Sequence, residues 1–85
     1  MFYVYILKSK KTGKYYYGQT NNLIDRIQRH NGGRVRSTKH GKPWRLVYAL
    51  KCESRSEAVQ LELELKQFKN PEKVLVYLKV PHEFW

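Results

Sequence analysis

The sequence predicts an α+β fold in which a small three-stranded, largely antiparallel sheet is flanked by helices, in the order β-β-α-β-α. Three observations support this class. Residues 2–19 carry strand-type residues on both sides of a turn, residues 44–50 form another apolar run, and residues 54–68 repeat apolar positions at helical spacing. Because 85 residues fit one domain, we expect residues 1–85 to form a single domain with one site.

The first two strands are predicted to form an antiparallel hairpin. Phe2 to Lys8 alternates branched and aromatic residues, SKKTG supplies turn chemistry, and Lys14 to Gln19 resumes the strand pattern. If a four-residue loop, Ser9 to Thr12, closes the hairpin, Tyr5 lies opposite Tyr16 on one face of the sheet. The hairpin holds five of the seven tyrosines, and tyrosine suits an exposed sheet face, so the crowding alone establishes no chemical role.

The first helix is predicted to begin after the pair Asn21-Asn22, because either side chain can cap a helix, and to end at Gly32-Gly33. Ile24 and Ile27 would form its apolar side. The helix would therefore cover part of the sheet.

A loop, a strand and a second helix follow. Residues 34–43 are polar, basic and rich in turn formers, which indicates a mobile loop. Trp44 to Leu50 predicts a third strand that is apolar enough to be central. Ser54 followed by Glu57 is the pattern of a capping box. The helix that it starts places four apolar side chains on one stripe: Ala58, Leu61, Leu65 and Phe68.

The end of the chain leaves one alternative open. Asn70-Pro71 is a helix-start signal, so a further short helix is compatible with the pattern. The last two residues, Phe84 and Trp85, are apolar enough to fold back onto the body of the protein.

The charge is unevenly distributed along the chain. The formal net charge is +10, and residues 1–52 hold twelve basic residues and one acid, Asp25, whereas residues 53–85 hold five basic and six acidic residues. Such a one-sided field favours a polyanionic partner, because each phosphate that a protein neutralises releases counterions. Nucleic acid is the partner that this pattern indicates first, ahead of a basic face that serves only solubility.

Composition also excludes several classes of protein. Cys52 is the single cysteine, so the chain has no intramolecular disulfide and no zinc site built from several thiolates. The apolar N-terminal segment is short and runs into a charged turn, which fits neither a signal peptide nor a membrane span. We therefore expect a cytoplasmic protein that does not associate with membranes.

Five polar side chains are candidates for a chemical role: Tyr5, Tyr16, Arg26, His30 and Glu62. Each has a structural explanation. The phenols suit a sheet surface, Arg26 and His30 share one helical face, and a histidine near a helix end is favoured by the helix dipole. Glu62 is flanked by apolar positions and needs compensation, either from Lys66 or Lys69 or from a hard divalent cation.

The spacing of these residues resembles the GIY-YIG nuclease family. The chain has Tyr3-Val4-Tyr5 and then Tyr16-Tyr17-Gly18, whose first tyrosine follows Tyr5 by eleven residues. An arginine lies ten residues further on, a histidine one helical turn later, and a glutamate on a downstream helix. The resemblance covers roughly residues 2–78 and is closest to small members that consist of the nuclease domain alone. The first motif has tyrosine in place of the family's glycine, and the second has tyrosine in place of isoleucine.

The resemblance implies a metal-dependent endonuclease that hydrolyses phosphodiester bonds, with DNA as the first choice of substrate. The active-site positions that it implies are Tyr5, Tyr16, Arg26, His30 and Glu62. Glu62 would hold Mg²⁺ or Mn²⁺, and Arg26 would bind the phosphate. Tyr5 would act as general base or position the water, which requires positive charge nearby because free tyrosine titrates near pH ~10. His30 and Tyr16 would hydrogen-bond to one another or to the nucleophile. The choice of phenol as base stays open, and Asn70 is left outside the site.

Five further cations would track the phosphate backbone: Arg34, Arg36, Lys39, Lys42 and Arg45. The main alternative is a noncatalytic nucleic-acid-binding module in which sheet tyrosines stack on bases. Glu62 argues against this alternative, because a pure binder gains nothing from a carboxylate that faces phosphates. Because no added domain supplies specificity, a partner protein is a further expectation.

Overall fold

The structure is a computed structural model that describes residues 1–68 and 70–85. Lys69, one of the two lysines considered as partners of Glu62, lies outside the described residues. The elements are β1 (Phe2–Ser9), β2 (Tyr15–Thr20), α1 (Leu23–Asn31), β3 (Trp44–Cys52), α2 (Arg55–Lys66) and α3 (Pro71–Tyr77). Single 3₁₀ turns lie at Lys39–Gly41 and His82–Phe84. The predicted α+β class is confirmed, and the helix-start signal at Asn70-Pro71 does begin a helix.

The sheet has the strand order β2-β1-β3 and both strand pairs are antiparallel. The prediction that the third strand is central is therefore wrong, because β1 occupies the centre. Its sequence explains the difference: Val4 and Ile6 face one side and Tyr5 and Leu7 the other, and each of them is at most 1 % exposed. A strand that buries both faces suits the middle of a sheet. β3 instead leaves Leu50 exposed at an edge.

The hairpin register also differs from the prediction. Tyr5 is opposite Gly18, and Tyr16 is opposite Leu7, because residues 10–14 form the connection in place of a four-residue loop. The longer turn is stabilised by the Ser9 hydroxyl, which accepts hydrogen bonds from two turn amides, and by a positive φ of 77° at Gly13. Tyr5 and Tyr16 are therefore diagonal neighbours on one face, with ring centroids 6.4 Å apart.

Apolar side chains pack on both faces of the sheet. On one face, β1 packs against α2 and α3 through a core of buried residues: Val4, Ile6, Cys52, Ala58, Leu65, Val74 and Leu75. On the other face, Tyr5, Leu7 and Trp44 pack against Leu23 and Ile27 of α1. Ile24 was expected on the apolar side of α1 but is 73 % exposed. The helix phase explains this, since Leu23 and Ile27 are one turn apart and Ile24 is rotated away from them.

The predicted helix caps are present. Asn22 accepts a hydrogen bond from the amide of Asp25, and Ser54 accepts one from the amide of Glu57. Gly33 follows α1 with a φ of 75°, and the apolar stripe of α2 packs against the core. Hence local sequence signals fix where these helices begin and end.

The segment 34–43 is held more firmly than a mobile loop would be. Thr38 is 1 % exposed, Gly41 is buried, and the Ser9 hydroxyl donates to the Gly41 carbonyl. At the other end, Trp85 packs on the α2–α3 side of the sheet as the sequence suggested, whereas Phe84 stays 51 % exposed. None of the helices in residues 1–68 and 70–85 has the length and hydrophobicity that crossing a membrane requires.

Candidate functional site

The centre of the candidate site is a hydrogen bond between Tyr5 and His30. The Tyr5 hydroxyl lies 3.0 Å from His30 Nε2, and both side chains are at most 1 % exposed. Tyr5 comes from the middle of the central strand and His30 from the last turn of α1, which packs across it. The contact joins residues 25 positions apart, so the packing of α1 on the sheet creates it.

Thr38 holds the other nitrogen of His30, with its Oγ1 2.7 Å from Nδ1. The Thr38 hydroxyl also has an acceptor, the carbonyl of Val35 at 3.4 Å. One tautomer satisfies every donor: His30 Nδ1–H donates to Thr38, Thr38 donates to Val35, and the Tyr5 hydroxyl donates to Nε2. The other tautomer leaves the buried Tyr5 hydroxyl without an acceptor in the part of the chain that the structure describes, so we assign the proton to Nδ1.

Sequence reasoning missed Thr38, because one threonine in a basic loop has no helical or strand spacing to mark it. It is nevertheless buried against His30. Its carbonyl also accepts a hydrogen bond of 2.8 Å from the indole of Trp44. Thr38 therefore ties the loop to the site at two points.

Tyr16 lies beside this hydrogen-bonded pair but is not part of it. Its ring is in edge contact with His30, with centroids 4.9 Å apart, and the side chain is half-buried. Among the described residues, the hydrogen bond that was expected between His30 and Tyr16 is not formed, because His30 bonds to Tyr5 and Thr38 instead. Tyr16 is consequently the phenol of the pair that is open to solvent.

Gly18 has a structural role that the sequence reading did not assign. A Cβ atom at this position would lie 2.5 Å from the Tyr5 hydroxyl oxygen and 2.6 Å from Cζ. Real Cβ atoms do not approach other atoms this closely, so a side chain here would displace the Tyr5 ring. A glycine inside a strand often marks such an approach, and this was the available signal.

Arg26 brings an unpaired buried donor to the site. Its Nε is buried and has no hydrogen-bond partner among the residues that the structure describes. The guanidinium lies close enough to lower the pKa of both His30 and Tyr5. A buried donor without an acceptor costs about 1–3 kcal/mol, and Nε shares this state with the hydroxyls of Tyr15 and Tyr17.

The pKa shifts indicate which groups are neutral. Burial, assisted by Arg26, lowers the pKa of His30, so its Nε2 is an unprotonated acceptor near neutral pH. Burial is also the main cause that raises the pKa of the Tyr5 phenol, and Tyr16 and Glu62 act in the same direction against Arg26. The positive charge expected to activate Tyr5 is present but is outweighed by burial.

Glu62 lies on α2 and has a charged partner. Its carboxylate is 2.6 Å from Lys66 Nζ, and the Glu62 side chain is 18 % exposed. Lys66 is thus the compensating partner that the sequence offered as one of two explanations. The carboxylate is also near enough to Tyr5 to raise the pKa of the phenol. It therefore belongs electrostatically to the same cluster.

The donor set for a metal is a single carboxylate. Within residues 1–68 and 70–85, no three His, Cys, Asp or Glu side chains are grouped so that they could hold an ion. One carboxylate suits Mg²⁺, which commonly keeps several waters and shares substrate phosphate oxygens. The residues present thus fit an ion that binds together with a phosphate, and do not fit a site built from protein ligands alone.

The five predicted phosphate-tracking cations divide into two groups. Four of them are exposed on the segment after α1, near the site: Arg34, Arg36, Lys39 and Lys42. Arg45 lies elsewhere. It pairs with Lys8 in the sheet and donates to the carbonyls of Phe84 and Trp85 on the α2–α3 side. The structure therefore separates Arg45 from the other four.

Comparison with known proteins identifies the family. The chain matches the family model described as the GIY-YIG catalytic domain over residues 1–74. The chain belongs to the GIY-YIG family. It therefore carries a catalytic domain of nuclease type, and all five candidate residues lie within the matched range.

Relatives of this GIY-YIG protein include several UPF0213 proteins. The UPF0213 protein SH2523 of Staphylococcus haemolyticus is 41 % identical over 73 residues, which are 85 % of this chain and 88 % of that protein. The UPF0213 protein YazA of Bacillus subtilis is 31 % identical and is matched over 95 % of this chain and 93 % of its own. The solution NMR structure of the UPF0213 protein BH0048 from Bacillus halodurans superposes with a TM-score of 0.61 at 36 % identity, covering 99 % of this chain and 92 % of that one. The fold is thus shared with an experimentally determined relative.

Proposed function

We propose that this GIY-YIG protein is a divalent-metal-dependent endonuclease that hydrolyses phosphodiester bonds in nucleic acid, with DNA as the first choice of substrate. The observation that carries the proposal is the buried, unpaired Nε of Arg26 beside the Tyr5–His30 pair. An anion-binding donor next to a neutral proton acceptor is what phosphodiester hydrolysis requires.

Arg26 would bind the reacting phosphate. A guanidinium forms short, charge-assisted bonds to phosphate oxygens, and α1 fixes its position. Nε has no partner in the described residues, and because it is buried, Arg26 would have to shift for a phosphate oxygen to reach it. The interaction would strengthen as charge grows on the phosphate in the transition state.

Tyr5, His30 and Tyr16 would handle the proton of the attacking water. Tyr5 donates its own proton to His30 Nε2, which leaves its oxygen lone pairs available. As the water attacks, the Tyr5 oxygen takes its proton and His30 takes that of Tyr5, so no free phenolate has to form. Tyr5 is 1 % exposed, and the more open Tyr16 would orient the attacking water beside it.

Glu62 would hold Mg²⁺ or Mn²⁺ in contact with a phosphate oxygen. When bound, the ion supplies Lewis-acid stabilisation of charge on the phosphoryl and leaving oxygens. Lys66 occupies the same carboxylate in the free protein, so it would release Glu62 to the ion when substrate binds.

The exposed cations at positions 34, 36, 39 and 42 would contact phosphates on either side of the scissile bond without reading bases. The stacking alternative is weakened by the burial of Tyr5, which leaves its ring no free face. A cytoplasmic location and a partner protein that supplies specificity complete the proposal.

The test is cleavage of labelled single-stranded, duplex and branched DNA and of RNA, in Mg²⁺, Mn²⁺ or EDTA. We expect Glu62→Ala to abolish metal-dependent cleavage while binding in EDTA is unchanged. Glu64→Ala, which changes an exposed glutamate on the same helix, is the matched control and should cleave normally. Cleavage by the Glu62 variant at the wild-type rate would refute the metal role.

A second comparison separates chemistry from affinity. Arg26→Ala should lower single-turnover cleavage by about a hundredfold or more with a smaller loss of affinity. The control is Arg29→Ala, because Arg29 is exposed on the same helix and pairs with Asp25. Serine at all four loop positions should instead flatten the slope of log affinity against log salt by about ~0.7 to 0.9 per lost phosphate contact. An Arg26 variant defective only in binding would contradict this division.

A further inference from the structure

A cavity that the proposed mechanism does not use adjoins Tyr5, Tyr16 and His30, the residues proposed to move the proton. It measures about 240 Å³ and lies between the β1–β2 turn and the basic loop. The residues used below are part of its lining: Lys14, Tyr16, Ser37, Thr38, His40 and Trp44. Tyr16 and Thr38 also contact His30, so whatever occupies the cavity lies next to the reacting groups.

Aromatic side chains form part of the wall, and their positions are fixed. Trp44 is 8 % exposed, and its indole N–H donates 2.8 Å to the carbonyl of Thr38. Its backbone amide donates to the side chain of Asn31, which in turn donates to the Trp44 carbonyl. Tyr16 meets Trp44 edge-on, with centroids 6.4 Å apart. An apolar wall held in this way suits the apolar part of a ligand, such as the ring of a base.

Gly41 sets the distance between the loop and the hairpin. A Cβ atom there would lie 2.6 Å from Cζ2 of Trp44 and 3.2 Å from the Ser9 hydroxyl. That hydroxyl donates to the Gly41 carbonyl, so the loop is bonded directly to the start of the turn. The cavity is therefore part of the built fold and not a gap between unconnected loops.

The remaining lining is polar and carries positive charge without any acid. Lys14 and His40 are exposed at the rim, and Ser37 contributes a hydroxyl. Such a rim suits a ligand with a phosphate outside the cavity and hydrogen-bonding edges within it. A nucleotide has these parts: a base with two apolar faces, polar edges and an attached phosphate.

The size of the cavity limits the ligand to one unit. It is just smaller than the ~300–1,000 Å³ of pockets for drug-sized molecules. A stacked base pair is too large. A single base can enter if it leaves the stack, which costs least in single strands and at strand junctions.

We propose that this cavity binds one unstacked nucleotide next to the scissile phosphate. The inference rests on the proposed nuclease function and adds a substrate class, namely single-stranded or junction-containing nucleic acid in place of continuous duplex. Trp44 and Tyr16 contact the base, and Lys14 and His40 contact its phosphate.

The test uses Trp44 as a reporter. The chain has two tryptophans, so Trp85→Phe leaves Trp44 as the single indole. In EDTA this protein is titrated with thymidine monophosphate, inorganic phosphate, a twelve-nucleotide single strand and the matching blunt duplex. We expect the nucleotide and the single strand to quench Trp44 fluorescence and to shift its indole N–H resonance, and phosphate and duplex to leave both unchanged.

A blocking variant locates the binding event. Ser37→Phe puts a large side chain on the lining, and Ser56→Phe makes the same change at an exposed serine on α2. Single-strand affinity should fall about tenfold in the first variant, in line with the loss of one stacked base, and stay unchanged in the second. If Ser37→Phe fails to fold, the Trp44 resonance of the parent protein still decides the matter.

Three results would overturn the inference: no change at Trp44 with nucleotide, an equal change with inorganic phosphate, or equal titration of the Ser37→Phe variant. None of these depends on metal or turnover. A protein that cleaves but shows one of them refutes only the cavity, whereas Trp44 quenching without cleavage in any metal refutes the nuclease proposal.

Discussion

Replacing Thr38 by valine tests the assigned role of the hydrogen bond to His30. Valine keeps the shape of threonine but removes the hydroxyl that lies 2.7 Å from His30 Nδ1. The Nδ1–H then has no acceptor at a position with 0 % exposure. The proton can move to Nε2, but the Tyr5 hydroxyl then loses its acceptor instead.

The expected magnitude follows from the cost of one unsatisfied buried donor, about 1–3 kcal/mol. If this free-energy cost reduces the stability of the fold, the melting temperature falls by roughly 4 °C or more for a domain of this size. Applied to the transition state, the same range lowers single-turnover cleavage by about fivefold to 150-fold. The tautomer itself can be observed from the ¹⁵N shifts of the two ring nitrogens.

Thr38→Ser is the matched control, because it keeps the hydroxyl and loses only a methyl group. It should retain most of the activity and the wild-type tautomer. If Thr38→Val cleaves as fast as the wild type, or if the serine variant is equally impaired, the hydroxyl does not position His30. A Thr38→Val variant that melts at the wild-type temperature would equally refute the reasoning.

Three further predictions concern packing, the ion pair and pH. Gly18→Ala should cost about 1–3 kcal/mol and weaken the Tyr5–His30 bond, because the new Cβ would overlap the Tyr5 ring; thermal melts and the His30 resonances report this. Lys66→Gln should lower the Mn²⁺ concentration for half-saturation by about twofold to fivefold in the presence of uncleaved substrate, because it removes a cation that competes for Glu62. Stability should fall with pH below 6.5, because burial lowers the folded pKa of His30 and the unfolded chain takes up its proton first. The contribution of His30 to the free energy of unfolding should be fully present above pH 6.5 and should be lost as the pH falls through the folded pKa. Denaturant melts at several pH values would show this.

The packing and pH predictions have controls within the chain. Gly13→Asn changes a hairpin glycine with open space around it and a φ that asparagine tolerates, so stability should hold. The pH slope should persist when His40 and His82 are both changed to Gln and should disappear in His30→Gln. A weaker Mn²⁺ response in Lys66→Gln would mean that the lysine supports the ion site.

Local signals in the sequence were sufficient to predict where the helices begin. Caps at Asn22 and Ser54 act within four residues, and their hydrogen bonds form as predicted. Strand order was not predictable in this way, since β1 and β3 are both apolar and only the helices packed on both faces make β1 central. The hairpin register failed for a similar reason, because the Ser9 hydroxyl selects a longer turn than composition suggested.

In the candidate site, too, the sequence predicted some contacts and missed those that depend on the packing of a loop. Motif spacing located Tyr5 and His30, which the fold brings into hydrogen-bond contact. Motif spacing missed Thr38, because its partner His30 is eight residues away and the loop between them has no periodicity. Motif spacing also grouped Arg45 with the loop cations, although Arg45 lies apart from them beside Phe84. Pairing along a helix or strand can be read from spacing, whereas contacts that a loop makes on returning to the fold cannot.

The position of Thr38 joins the binding loop to the chemistry. The cations at 34, 36, 39 and 42 flank a residue that holds the His30 ring, so a phosphate that pulls on the loop also acts on the hydrogen bond that sets the His30 tautomer. In the proposed nuclease, this one side chain would connect the binding loop to the His30 ring. The coupling has a structural limit, because Trp44 and Ser9 bond the loop on either side of Lys39 and His40. Residues 34–36 act on Thr38 more directly, because the Thr38 hydroxyl and amide both donate to the carbonyl of Val35.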